Sequence, residues 1–169
     1  MSSVLRLIVV VLLLNGFFTY IGLFLLPQAE SHPPKEIKIE EGISVEELVD
    51  IGKEIVFGKG QCMVCHPVKA EAGMRAPAIA GIGSHMEKEA KKRGVSFEYH
   101  VFEALVAPGE FIAEGFENIM PPVHKPPIGL TKEELIAVGA YLQSQGSRVT
   151  ISFPDSLRIL EEVLKKTGG

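Results

Sequence analysis

The sequence predicts an all-α protein: one apolar helix at the N-terminus, then a small helical domain rich in loops. Three observations carry that expectation. The 20 residues from Leu7 to Leu26 hold no charge. Apolar residues recur at helical spacing in three later segments, each opened by a Ser or Thr cap or stopped by Gly or Pro. Only "RVTIS", 148–152, alternates as a half-buried strand would.

At 169 residues the chain suits one domain with additions. Its mean hydropathy of +0.22 is high for a soluble protein, and the excess sits at the front. Residues 1–26 read as an uncleaved transmembrane anchor. The apolar stretch exceeds the roughly 7–15 residues of a signal peptide, and no small-x-small cleavage pattern follows it. Arg6, the sole charge ahead of the span, places the N-terminus in the cytoplasm and the rest on the periplasmic, extracytoplasmic side. Asn15, Thr19 and Gly22 share one face, a pattern suited to a partner helix. Residues 27–43 are rich in Pro and charge and read as a linker, so His32 within them is set aside. The balance beyond the span is mildly acidic, which argues against nucleic acid as a partner. The basic run Lys88, Lys91, Lys92, Arg93 reads as solvated surface.

In the domain, 44–146, Ser44 and Glu47 form a capping box ahead of Val45, Leu48, Val49, Ile55 and Val56, an apolar helical face ended by "GKG". Residues 67–84 have the Pro, Gly and Ala content of an ordered loop, and a short helix follows at 85–93. "FEYHVFEALVAP" is a second clear helix, stopped by Pro108 and Gly109. A proline-punctuated loop leads to the third, "TKEELIAVGAYLQSQ", capped by Thr131 with Glu134. The extension 147–169 reads as an extended piece and a short helix from about Pro154. Its stripe of Leu157, Leu160 and Leu164 must be buried, and the reading leans towards a partner as the cover. A loop-rich domain of this size has little core of its own, so something else is expected to fill its middle.

"GQCMVCHPV", 60–68, holds both cysteines of the chain, three positions apart and followed at once by His66. A structural zinc needs four ligands, and no second Cys or His pair is spaced to complete it. A thioredoxin-type pair needs a βαβ context that is missing, and a plain disulfide leaves His66 without a purpose. The remaining reading is covalent haem, since C-x-x-C-H is the attachment sequence of haem c. Cys62 and His66 project from one face of a helical turn, and Cys65 is offset to reach a second point. One haem would bind, with thioethers at Cys62 and Cys65 and His66 under the iron.

With "CMVCH", "RAPAIAG", "NIMPP" and a final "LTKEELIAVGAYLQSQ" in that order, residues 44–146 resemble the class I, His/Met-ligated, monohaem c-type cytochromes. The resemblance implies a small cytochrome c fold with a loop-rich haem pocket. It implies a tight crossing of the first and last helices at Gly52 and Tyr141. It also implies that the carbonyl of Pro77 accepts from His66 and that Arg75 pairs with a haem propionate.

The sixth iron ligand remains to be named. Met120, in a proline-stiffened loop 54 residues after His66, matches the axial methionine of the resemblance. His124 is its rival. Met63, Met74 and Met86 are less suitably placed, and His85 and His100 read as ordinary helix or surface histidines. Gly115, Phe116 and Pro121 are expected to shape the methionine loop, and Tyr99 and Phe102 to line the pocket or simply fill the core. The implied function is single-electron transfer between redox proteins rather than enzymatic catalysis. The carrier would be tethered to the bilayer, or a subunit of a respiratory or photosynthetic membrane complex. The alternative is a haem-based gas or redox sensor with a labile sixth ligand.

Overall fold

The computed structural model describes residues 2–26, 39–40 and 42–168, which form six α-helices and no β-strand. The all-α expectation therefore holds for the described residues. The chain separates into two units, Met1–Lys35 and Glu36–Gly169. Apart from 39–40 and 42–43, the expected linker lies outside the described residues, as does His32.

In the first unit, α1 (Ser3–Tyr20) runs into one wide turn of π-type hydrogen bonding, Ile21–Leu25. The Ser2 hydroxyl accepts from Leu5 N–H at 3.4 Å and starts the helix. Ser3–Leu25 spans 23 residues at a mean hydropathy of 2.4. At about 1.5 Å per residue it is long and apolar enough to cross a membrane. Asn15 Nδ2 donates to the Val11 carbonyl at 3.0 Å, so one side-chain N–H is satisfied within its own helix. That donor is not on offer to the partner helix expected on the Asn15/Thr19/Gly22 face.

The second unit is built on α2 (Val45–Phe57) crossing α5 (Lys132–Ser144). The crossing is tight because Gly52 has no side chain: a Cβ there would lie 2.0 Å from the Ala137 carbonyl oxygen and 2.9 Å from Tyr141 Cβ. Val56 is fully buried, and Phe57 instead meets Tyr141 edge-on at 6.4 Å between ring centres. Both helices start on hydroxyl caps. Ser44 Oγ accepts from Glu47 N–H at 3.1 Å. At α5 the box is reciprocal, with Glu134 N–H donating to Thr131 Oγ1 at 3.3 Å and Thr131 N–H to Glu134 Oε2 at 2.9 Å. Glu134 is buried, and Lys59 Nζ reaches both of its carboxylate oxygens at 2.8 Å. One carboxylate thus caps α5 and ties down the loop that leads to Cys62.

Two further helices pack beside this pair: α3 (Ile82–Arg93) and α4 (Phe97–Val106). Helix α3 begins three residues ahead of the expected 85. "GIGS" reads as loop, but Gly83 lies against the end of α5, where a Cβ would meet the Gln143 carbonyl oxygen at 2.4 Å. Its N–H donates to the Gln145 carbonyl at 3.0 Å. The basic run at its end divides. Lys91 and Lys92 pair with Glu87 and Glu89 on the solvent face, as expected, while Arg93 turns inward to Glu103.

The C-terminal extension covers its own domain, which corrects the leaning towards a partner. "RVTIS" forms no strand. The buried Gln143 side chain takes the place of a neighbouring strand, its Oε1 accepting from Thr150 N–H at 2.8 Å and Ile151 N–H at 3.0 Å. Helix α6 (Leu157–Lys166) then packs on α4 and α5, with Leu160 and Val163 fully buried and Leu157 and Leu164 against the same core. Burial of each such side chain contributes about 1.5–3 kcal/mol. Deleting 147–169 is therefore expected to cost several kcal/mol and to lower the thermal midpoint followed by circular dichroism. An unchanged melt would return the tail to the role of a docking element.

Candidate cofactor-binding site

Helix α2 ends at Phe57, and Gly58–Gly60 turn the chain sharply. A Cβ at Gly60 would meet the Ile55 carbonyl oxygen at 2.9 Å and Cys62 Sγ at 3.2 Å, so glycine is needed there. Gln61 follows at φ 53°, the only non-glycine residue with positive φ among those described. A left-handed residue with a side chain costs roughly 1–2 kcal/mol, a strain spent on aiming the next turn. That turn is a single 3₁₀ turn, Cys62–Val64, and His66 N–H donates to the Cys62 carbonyl at 2.9 Å. Cys62 and His66 thus close one i, i+4 turn. The two thiols are unpaired and half-buried. Desolvation pushes the Cys62 thiol pKa up, which keeps it protonated.

The loop after His66 is clasped at its base. Ile79 N–H donates to the Pro67 carbonyl and Ala80 N–H to the Val68 carbonyl, each at 2.9 Å. The clasp brings Pro77 back onto the histidine, whose Nδ1 lies 2.7 Å from the Pro77 carbonyl oxygen. A carbonyl only accepts, so Nδ1 carries the proton and Nε2 keeps its lone pair.

Opposite elements close a predominantly apolar cavity of about 320 Å³. Cys62, Cys65, His66, Arg75, Pro77 and Met120 all line it, with Arg75 otherwise exposed. The 108–128 loop is held across it by Val123 N–H donating to the Leu105 carbonyl and Leu130 N–H to the Val123 carbonyl, both at 3.0 Å. Gly115 makes a turn at φ 87°, and Phe116 and Pro121 form part of the wall.

His124 is not on the wall. Both its ring nitrogens are shielded from solvent without a hydrogen-bond partner, and burial followed by the Lys125 charge lowers its pKa. Met63 and Met74 are not on the wall either. Phe102 is plain core, fully buried, and Tyr99 lies under the Lys166 ammonium at 5.1 Å.

Three residues that the sequence had led us to set aside line the cavity: His85, Met86 and His100. The signal was present but hidden by the helix start. Once α3 begins at Ile82, then Ile82, His85 and Met86 fall on one face, and all three line the cavity. His100 is 2% exposed, so it is no surface histidine. Its Nδ1 lies 2.7 Å from Arg93 Nη1, and its ring meets Phe111 edge-on at 4.9 Å.

Among the described residues no cluster of three or more His, Cys, Asp and Glu side chains is placed to hold a bare metal ion. The side chains that share the cavity include two thiols, two thioethers and three imidazoles, of which His66 is the one held by the Pro77 carbonyl, on largely apolar walls. That set suits a flat apolar macrocycle carrying its own metal, with covalent attachment on one side. No protein-family model matches the chain, and no curated protein matches it.

Proposed function

We propose that the cavity holds one covalently bound haem c and that the chain is a membrane-anchored, single-electron carrier with the fold of a small class I cytochrome c. The observation that carries this reading is the meeting of Cys62, Cys65, His66 and Met120 on one apolar cavity, with His66 Nδ1 anchored 2.7 Å from the Pro77 carbonyl oxygen. When bound, the haem iron supplies a one-electron Fe(III)/Fe(II) couple.

The chain's own residues do the rest. Cys62 and Cys65 would hold the macrocycle by thioethers. The Pro77 carbonyl favours the His66 tautomer with the proton on Nδ1, which would leave Nε2 to hold the metal and would raise the ligand's basicity. Met120 offers a neutral, soft sulfur that favours the reduced state. Arg75, an exposed residue of the cavity lining, would pair with a propionate. With His66 and Met120 both held on the cavity, the two would occupy the metal together, and a substrate would have to displace one of them. This separates a carrier from a gas sensor or a catalyst. The anchor in the first unit would keep the domain near redox partners on the periplasmic side and raise their effective concentration, either as a tethered carrier or as a subunit of a membrane complex.

Covalent attachment is tested first. Full-length protein made in a host that matures haem c is expected to keep haem staining at its own mass on a denaturing gel, and acid acetone should extract none. Loss of the stain under those conditions would end the haem c reading.

A further inference from the structure

Two histidines line the cavity, and their other partners set opposite tautomers. His66 Nδ1 faces a carbonyl oxygen, which only accepts, so its Nε2 is a lone pair suited to a metal. His100 Nδ1 faces Arg93 Nη1 at 2.7 Å, and a guanidinium only donates. His100 Nδ1 is therefore the acceptor, and the proton of the neutral ring sits on Nε2. In that form His100 cannot ligate a metal through Nε2. The ring's remaining polar atom is a donor.

The arrangement is well braced. Arg93 donates through Nη1 and Nη2 to the Glu103 carboxylate, one turn of α4 beyond His100, and its guanidinium lies 4.9 Å from the Phe111 ring centre. Glu103 is buried and Arg93 is half-buried, so the pair is shielded and its geometry is held. The charged groups that act on His100 are Arg93 and Glu89 from α3 and Glu103 from α4. Burial, then the Arg93 charge, lowers its pKa, against the smaller pull of Glu103 and Glu89. A neutral ring follows from both the hydrogen bonding and the desolvation.

We infer that His100, held as the Nε2–H tautomer by the Arg93–Glu103 pair, is a neutral hydrogen-bond donor to a carboxylate of the tetrapyrrole. The inference rests on the haem reading above. Once an occupant fills the cavity that His100 lines, that N–H would cost about 1–3 kcal/mol if left unpaired. The walls are otherwise mostly apolar, and the acceptors that a haem brings are its two propionates. His100 thus selects an occupant that carries a carboxylate, and it stabilises that carboxylate's charge without adding a cation.

The experiment uses the full-length, haem-loaded protein labelled with ¹⁵N-histidine. In the diamagnetic reduced state, long-range ¹H–¹⁵N correlations are expected to show His100 protonated at Nε2 alone. In parallel, His100→Leu removes the donor, and His100→Gln restores an N–H at similar reach. Loss of the donor leaves more negative charge beside the iron, which favours Fe(III). The reduced-to-oxidised ratio at a fixed potential is expected to fall by up to tenfold in His100→Leu, about 59 mV for one electron, and to recover most of the way in His100→Gln. Protonation at Nδ1, or on both nitrogens, overturns the assignment, as does an unchanged ratio in a folded His100→Leu variant. If that variant does not fold, the wild-type spectrum still decides. Wild-type protein that carries haem but shows the wrong tautomer defeats this inference alone. Protein that never acquires covalent haem defeats the haem reading with it.

Discussion

With haem c bound as proposed, replacing Met120 with alanine is expected to open a coordination position of the iron, admit carbon monoxide and lower the reduction potential. A neutral thioether binds Fe(II) better than Fe(III), and its loss removes that preference. Each tenfold change in the relative affinity for the two iron states is worth about 59 mV. The weak far-red band of the oxidised protein, which reports sulfur ligation, should vanish in the same variant. Met120→His should keep six ligands, with a lower potential and no reaction with carbon monoxide. The change should leave the fold intact. The loop is held independently of the side chain by backbone bonds from Val123 to Leu105 and from Leu130 to Val123. Met86 gives the comparison a sharp edge, because it is the other thioether on the cavity wall and is only 7% exposed. Met86→Leu should leave the far-red band in place. Should the band disappear with Met86 and persist in Met120→Ala, Met86 is the ligand and the assignment is wrong. Wild-type protein that binds carbon monoxide readily would favour the sensor over the carrier.

The second large effect is on stability. Gly52→Ala is expected to destabilise the haem-loaded protein by about 3 kcal/mol or more, at the upper end of what overpacking costs. A methyl group there would sit 2.0 Å from the Ala137 carbonyl oxygen, which is backbone and cannot rotate away. Helices α2 and α5 would have to separate, and the cost would spread to Ile55 and Val56 of α2 and Ile136 and Val138 of α5, all buried at the crossing or in the core beside it. Denaturant unfolding followed by helical circular dichroism measures it. A midpoint within error of wild type would mean that the crossing is looser than this geometry requires.

Much of the architecture was legible in the chain. An uncharged run of 20 residues predicts α1 by length and hydropathy alone, since no packing is needed to make such a segment helical in lipid. Helices α2, α4 and α5 carry local caps and clear apolar periods, and Ser44, Ser96 and Thr131 each accept from the backbone N–H three residues on. Local signals sufficed because the physics is local. They failed at α3, where Gly83 reads as a helix breaker. A glycine chosen for close approach to another helix looks the same in a sequence as one chosen for a turn.

For the site, spacing alone placed Cys62, Cys65 and His66 together, because one short turn brings them into reach. It also left a few methionines and histidines as candidates for a more distant ligand. What only the tertiary structure decided were the contacts made across the chain. The clasp of 67–68 on 79–80 returns Pro77 to His66, and the 108–128 loop carries Met120 to the cavity while leaving His124 off its wall. Arg93 turns in from the end of α3 to set the His100 tautomer. The extension closes over its own domain through the Gln143 side chain and α6. The hydrogen bonds among these join groups 7 to 18 positions apart, as His100 is from Arg93 and Val123 from Leu105. A residue's period and caps report its own helix. Which tautomer, which loop and which face it meets are set by the partner that packing brings to it.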